Sequence, residues 1–132
     1  MTTASIASIH YSVKLQNGRH EFSADEPMDH GGGDTGPAPD ELLEASLASC
    51  TAITLRMYAN RKKWAVAEIT VTVTLERQDN KTVFTRAIII NGSVDEQQRE
   101  RLLEIAKACP VSKTLLGEIE INSHFSYYQK NL

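Results

Sequence analysis

No apolar run in this chain approaches the roughly 20 residues that a membrane-spanning helix needs. Neither sign of charge dominates: 14 basic residues stand against 17 acidic ones, for a formal net charge of −3. That balance argues against nucleic acid or an anionic membrane surface as the main partner. Repeats and low-complexity tracts are absent. The start, Met1-Thr2-Thr3-Ala4-Ser5-Ile6, lacks the cationic opening and apolar stretch of a secretory leader, so a cytoplasmic location is expected. Cysteine is used twice, at Cys50 and Cys109, too sparingly for a disulfide scaffold. No Gly-x-Ser-x-Gly elbow marks a serine hydrolase. The glycine-rich stretch Gly31-Gly32-Gly33-Asp34-Thr35-Gly36 lacks the Gly-Lys-Ser/Thr ending of a phosphate loop. His10, His20, His30 and His124 show no metal-ligand spacing, and no metal site is expected from them.

What is present suits one folded unit. A chain of 132 residues, 41% hydrophobic and 23% charged, has the composition of an ordinary globular domain and room for one core. Residues 1–132 are read as a single domain. Ile9, Tyr11, Val13 and Leu15 alternate with polar neighbours as a half-buried strand. Asn17-Gly18 is a hairpin turn signal, and the chain is expected to return as a strand from Arg19 to Ala24. Residues 25–39, rich in glycine and proline, form the one long loop. From Asp40 the period becomes helical and continues to Arg61-Lys62-Lys63. Pro39 suits the first turn, Asp40 and Glu41 the positive end, and the cationic triplet the negative end. From Leu42 to Tyr58 this helix of about 23 residues is apolar around its whole circumference, so it requires burial on all sides. A monomer of this size cannot enclose such a rod, which predicts a homodimer.

Two further strands are expected on either side of Asp79-Asn80, around Ile69–Leu75 and Val83–Ile90. Ser93-Val94-Asp95-Glu96 reads as a capping box for a second helix, which Pro110 stops. A short helix then follows Cys109-Pro110. Ile119, Ile121, Phe125 and Tyr127 alternate as a last strand. The expected order is ββαββα(α)β, an α+β fold.

The chemistry-bearing candidates are few. Cys109 occupies a helix N-cap position, where amides favour thiolate, though a small apolar cap would look the same. Cys50 lies mid-helix among the small residues of Ala45–Ala52. Taken alone, a close-packed helix crossing explains it better, because mid-helix position gives no dipole help and burial alone raises a thiol pKa. To act as a nucleophile, Cys50 needs a cation from elsewhere. Arg19, beside the hairpin turn, is one source, and Asp40 or Glu41 offers a carboxylate to clamp a guanidinium. Each of these three residues also has an ordinary surface explanation.

Pro39-Asp40-Glu41-Leu42-Leu43 leading into Ala48-Ser49-Cys50-Thr51-Ala52, followed by Ala108-Cys109-Pro110-Val111-Ser112-Lys113, resembles the OsmC/Ohr family. That family comprises osmotically inducible protein C and the organic hydroperoxide resistance proteins. The Thr51-Ala52-Ile53 continuation is closer to its OsmC-like branch. The resemblance implies an intertwined homodimer with its long helices at the centre and a thiol peroxidase without metal or haem. Cys50 then matches the peroxidatic cysteine, Cys109 the resolving one, Asp40 the acid that orients an arginine, and Arg19 that arginine; Glu41 is the alternative acid. On this basis Cys50 reduces an organic hydroperoxide and passes through a sulfenic acid to a Cys50–Cys109 disulfide, which an external dithiol, lipoyl by resemblance, reopens. An apolar pocket lined by Leu47, Ile53, Met57 and partner residues would select organic peroxides. The alternative is a non-catalytic dimeric protein that binds small molecules or senses redox state.

Overall fold

The computed structural model describes residues 1–129. The fold is α+β, as expected, with elements in the order βββαββαα. Strands β1 (Thr3–Ile6), β2 (Val13–Gln16) and β3 (Glu21–Ala24) form a small antiparallel sheet in that spatial order. A loop containing one 3-10 turn, Met28–His30, leads to α1 (Pro39–Lys62). Strands β4 (Ala65–Gln78) and β5 (Lys81–Ser93) form a long hairpin, followed by α2 (Glu96–Lys107) and α3 (Pro110–Leu116).

The long helix begins and ends where its sequence signals place it. Pro39 opens it, Glu41 Oε1 accepts from the Ala38 N–H at 3.1 Å, and Lys63 closes it in a left-handed conformation. Its covered side, Leu47, Thr51, Leu55, Tyr58 and Ala59, lies against the hairpin and the shorter helices. One cluster joins Leu55 and Tyr58 to Leu102 and Ala106 of α2. The second joins Leu47 to Val73 of β4 and to Cys109. The opposite side is open, with Ile53 58% and Met57 67% exposed. Burial of α1 on all sides is therefore not achieved by one chain alone.

Strands β4 and β5 pair in an unbroken run from Gln78↔Lys81 to Glu68↔Asn91, with the irregularity expected of a bulge at Val66/Glu68. Gly92, opposite Val66, has φ +150°, and a Cβ there would lie 2.2 Å from the Ala65 carbonyl oxygen. Only glycine fits that approach.

Four local expectations are corrected. A first strand, β1, precedes the expected one, and residues 8–11 bend away from the sheet, so β2 starts only at Val13. The Tyr11 N–H is committed to Asp25 instead. The β2–β3 turn spans residues 17–20, not two residues: Asn17 Oδ1 accepts from the Arg19 and His20 N–H groups, and β3 begins at Glu21. A side-chain carbonyl acting as a turn acceptor lengthens the loop. The cap of α2 is Asp95, two residues beyond Ser93. Its carboxylate accepts from the Gln98 N–H at 2.7 Å, and Gln98 Oε1 accepts from the Asp95 N–H at 3.0 Å. Finally, residues 117–129 contain neither helix nor strand, and Ile119, Ile121, Phe125 and Tyr127 are exposed. Alternation alone does not make a strand; it needs a neighbouring ladder.

Candidate thiol site

The loop before α1 is fixed by a buried carboxylate. Asp25, 2% exposed, accepts from the Thr35 hydroxyl at 2.7 Å and from the N–H groups of Thr35, Glu26 and Tyr11. The Thr35 hydroxyl bond foremost, with the three amide bonds, holds this carboxyl far below the usual range against the opposing effect of burial. The loop delivers Pro39 and hence fixes the start of α1.

From that start, helical spacing aims α1 at the hairpin. Asp40 meets Arg77 of β4 in a bidentate pair, with Nη1–Oδ2 at 2.5 Å and Nη2–Oδ1 at 2.8 Å. The hydrogen bonds with Arg77 lower the Asp40 pKa and raise that of Arg77. One turn on, Glu44 Oε2 accepts from the Leu75 N–H at 3.1 Å. Two further turns bring Cys50 and Thr51 to the second apolar cluster, where Cys50 packs half-buried at its margin.

Cys109 arrives from the other side as the N-cap of α3. It has extended backbone angles, Pro110 follows it, and its sulfur accepts from the Ser112 N–H at 3.4 Å. The side chain is 0% exposed. Thr51 Oγ1 lies 3.6 Å from Sγ and Ser112 Oγ 3.1 Å, and Cys50 packs against the same apolar cluster. Both cysteines are free thiols. Burial pushes the Cys109 thiol up, but the Ser112 hydroxyl and N–H, the Thr51 hydroxyl and Cys50 together outweigh it. The thiol is brought from 9.0 down to about 7.

A guanidinium completes the cluster. Arg86 Nη1 donates to Thr51 Oγ1 at 2.9 Å and to Ser112 Oγ at 2.8 Å, and lies 3.7 Å from Cys109 Sγ. Arg86 and Arg77 both occupy inward positions of the hairpin. Arg86 follows Phe84 and precedes Ile88 and Ile90 on β5, and Arg77 follows Val71, Val73 and Leu75 on β4. A charged residue in the core-facing register was the available signal for both, and periodicity read for apolar residues alone passes over it.

The expected site residues are therefore brought together in part. Cys50 packs against the cluster that holds Cys109. Asp40 clamps a guanidinium, but that guanidinium belongs to Arg77. Glu41 is engaged as the helix cap. Arg19 sits exposed in the β2–β3 turn, and among the described residues its side chain pairs with neither Asp40 nor Cys50. Within one chain, the guanidinium on Asp40 is that of Arg77 and the one beside Cys109 is that of Arg86. These two arginines border a cleft of about 730 Å³ whose apolar walls include Leu43, Leu47, Leu75 and Phe84. Leu47 lines it as expected. Ile53 and Met57 do not; they border a shallower hollow of 420 Å³ with Ala67 and Ile69.

Among the described residues, no group of three or more His, Cys, Asp or Glu side chains is placed to hold a metal ion. In the same set, no helix is long and apolar enough to cross a membrane.

The model of the OsmC family, described as OsmC-like protein, matches residues 31–124. No curated protein matches the sequence. Among solved structures, an OsmC-like protein from Mycoplasma pneumoniae is similar at 21% identity over 89% of this chain and 86% of that one, with TM-score 0.75. An organic hydroperoxide resistance protein from Elizabethkingia anophelis, with thiocyanate bound, is 27% identical over 90% and 89%, with TM-score 0.66. One from Legionella pneumophila is 24% identical over 89% and 88%, with TM-score 0.64.

Proposed function

The chain belongs to the family of OsmC-like proteins, and from that premise we propose that it is a cysteine-based reductase of organic hydroperoxides. The observation that carries this reading is that Cys50 packs against the apolar cluster holding Cys109, distant in sequence, where hydrogen bonds with Ser112 favour the ionised form of Cys109. The hydroperoxide resistance proteins among its structural relatives support the same chemistry.

The roles follow from access and charge. Cys50 is the half-buried sulfur and can be reached; Cys109 is fully buried. Cys50, as thiolate, attacks the distal peroxide oxygen. An S–O bond forms, the O–O bond breaks, and the alkoxide takes a proton and leaves as alcohol. The peroxide gains two electrons and the sulfur becomes a sulfenic acid. Positive charge from Arg86, close by on Thr51, favours the departing oxyanion. The Cys109 thiolate then attacks the sulfenic sulfur. The S–S bond forms, and hydroxide leaves as water after taking a proton. A thiol brought to about 7 is substantially ionised at neutral pH, which suits this step. An external dithiol, of lipoyl or another class, reduces the disulfide by exchange and restores both thiols. Beside Arg86, an apolar cleft whose walls include Leu47 but neither cysteine offers room for a hydrocarbon substituent, which hydrogen peroxide lacks.

The open face of α1 supports a homodimer that covers Ile53 and Met57 with a second copy. Light scattering at micromolar concentration then gives twice the chain mass; the mass of one chain overturns the dimer. The catalytic reading is tested by organic hydroperoxide consumption with a dithiol present. Cys50→Ser abolishes turnover, whereas Cys109→Ser without dithiol consumes about one equivalent and leaves a trappable sulfenic acid. Turnover that survives Cys50→Ser contradicts it.

A further inference from the structure

We propose that Arg86 is the counter-cation of the Cys109 thiolate, so that the reduced chain holds an internal ion pair which the Cys50–Cys109 disulfide dismantles. The inference rests on the redox reading of the two thiols and adds a residue that sets how readily their disulfide is reduced.

Among the described residues, only neutral groups surround the Arg86 guanidinium while the thiol is protonated. Its Nη1 contacts are the hydroxyls of Thr51 and Ser112 and the sulfur of Cys109. Other arginines are arranged differently. Arg77 has Asp40 and Arg101 has Glu104, while Arg56 donates to the backbone carbonyls of Val66 and Ala67. Among the described residues, no carboxylate pairs with Arg86. A partly buried cation lacking an anion is costly, and the one neighbour able to become an anion is Cys109.

The view from Cys109 agrees. From α1 it meets the Thr51 hydroxyl, with Cys50 packed against the same cluster, from β5 Arg86, and from α3 the Ser112 hydroxyl and N–H. From β4 come the apolar Val71 and Val73, and Leu47 and Phe84 complete the packing. Arg86 is therefore the one charged side chain in contact with this sulfur among the described residues. The Thr51 and Ser112 hydroxyls bridge the two groups and orient the guanidinium toward Sγ.

Forming the disulfide converts Cys109 from thiolate to a neutral sulfur and leaves Arg86 facing hydroxyls. Stabilisation that exists only in the reduced form makes a disulfide more easily reduced. Arg86 thus favours release of the reduced protein when a dithiol attacks.

The test uses no peroxide, so its failure is separate from failure of the catalytic reading. In a Cys50→Ser background only Cys109 remains as a thiol, and its ultraviolet thiolate absorbance gives a titration midpoint. Arg86→Gln, which keeps neutral donors for the two hydroxyls, raises that midpoint by about one unit or more; Arg86→Lys restores most of the shift. In the chain with both cysteines, at a pH above both midpoints, Arg86→Gln moves the equilibrium with a defined dithiol toward the disulfide by about tenfold per unit. A second measurement needs no change at Arg86. Its side-chain NMR resonances move with pH in Cys50→Ser, tracking the thiolate absorbance, and stay still once Cys109→Ser is added. An unchanged midpoint in Arg86→Gln, or Arg86 resonances indifferent to Cys109 ionisation, overturns the proposal.

Discussion

Replacing Cys109 by alanine in a Cys50→Ser background removes the one remaining thiol, and the pH dependence of stability reports what the fold does to that group. The Cys109 thiol is 0% exposed and is brought from 9.0 to about 7 by hydrogen bonds that outweigh burial. Because the folded value is depressed, the unfolded chain binds more protons between these values, and stability rises with pH there. The contribution is complete above about pH 9 and is lost as pH falls through about 7. Each unit is worth about 1.4 kcal/mol, so the full effect with Cys50 present approaches 3 kcal/mol; Cys50→Ser removes the smallest of the lowering contacts, and about 2 kcal/mol is expected to develop between roughly pH 6 and pH 9. Urea unfolding under reducing conditions, performed on Cys50→Ser with and without Cys109→Ala, isolates this difference from other titrating groups. The gap between the two variants is expected to widen with pH in favour of the one retaining Cys109. A gap that stays constant, or narrows with rising pH, would mean that burial prevails over the hydroxyls of Ser112 and Thr51, and the reasoning fails.

Other expectations are simpler. Leu55, fully buried between α1 and α2, should lose about 2–5 kcal/mol of stability as Leu55→Ala, measured by chemical denaturation; a loss below about 1 kcal/mol would refute the placement of the core there. Asp95→Ala removes the α2 cap and should cost about 0.5–2 kcal/mol in the same assay, whereas Ser93→Ala should change little. Asp40→Asn breaks the clamp on Arg77. It should lower the rate of hydroperoxide reduction severalfold while shifting the melting temperature slightly, since the pair is exposed; equal rates would remove Arg77 from the site.

Much of this architecture is written locally in the chain. Pro39, the two acids after it and the cationic triplet at 61–63 delimit α1 because capping depends on near neighbours. Asp79-Asn80 marks the hairpin turn, and Cys109-Pro110 marks the start of α3, for the same reason. The two cysteine motifs also identified the family. What stayed hidden depends on distant partners. Arg77 and Arg86 look like ordinary strand residues until the register Val73↔Arg86 and the contact with Asp40 are known. Arg19 drew attention because a turn presents it outward, yet nothing local fixes where such a turn docks. The 119–127 segment has the alternation of a strand, but pairing depends on another strand, which local sequence does not supply. Ser93 and Asp95 compete as caps within one short window, and the reciprocal bond from Gln98 decides for Asp95.

The most direct test counts thiols. The reduced protein, given one equivalent of an organic hydroperoxide and no reductant, should lose both of its free thiols and yield a Cys50–Cys109 linked peptide on mapping, with dithiol restoring both. Retention of both thiols, or the same loss of thiol in a Cys50→Ser chain, would contradict the account.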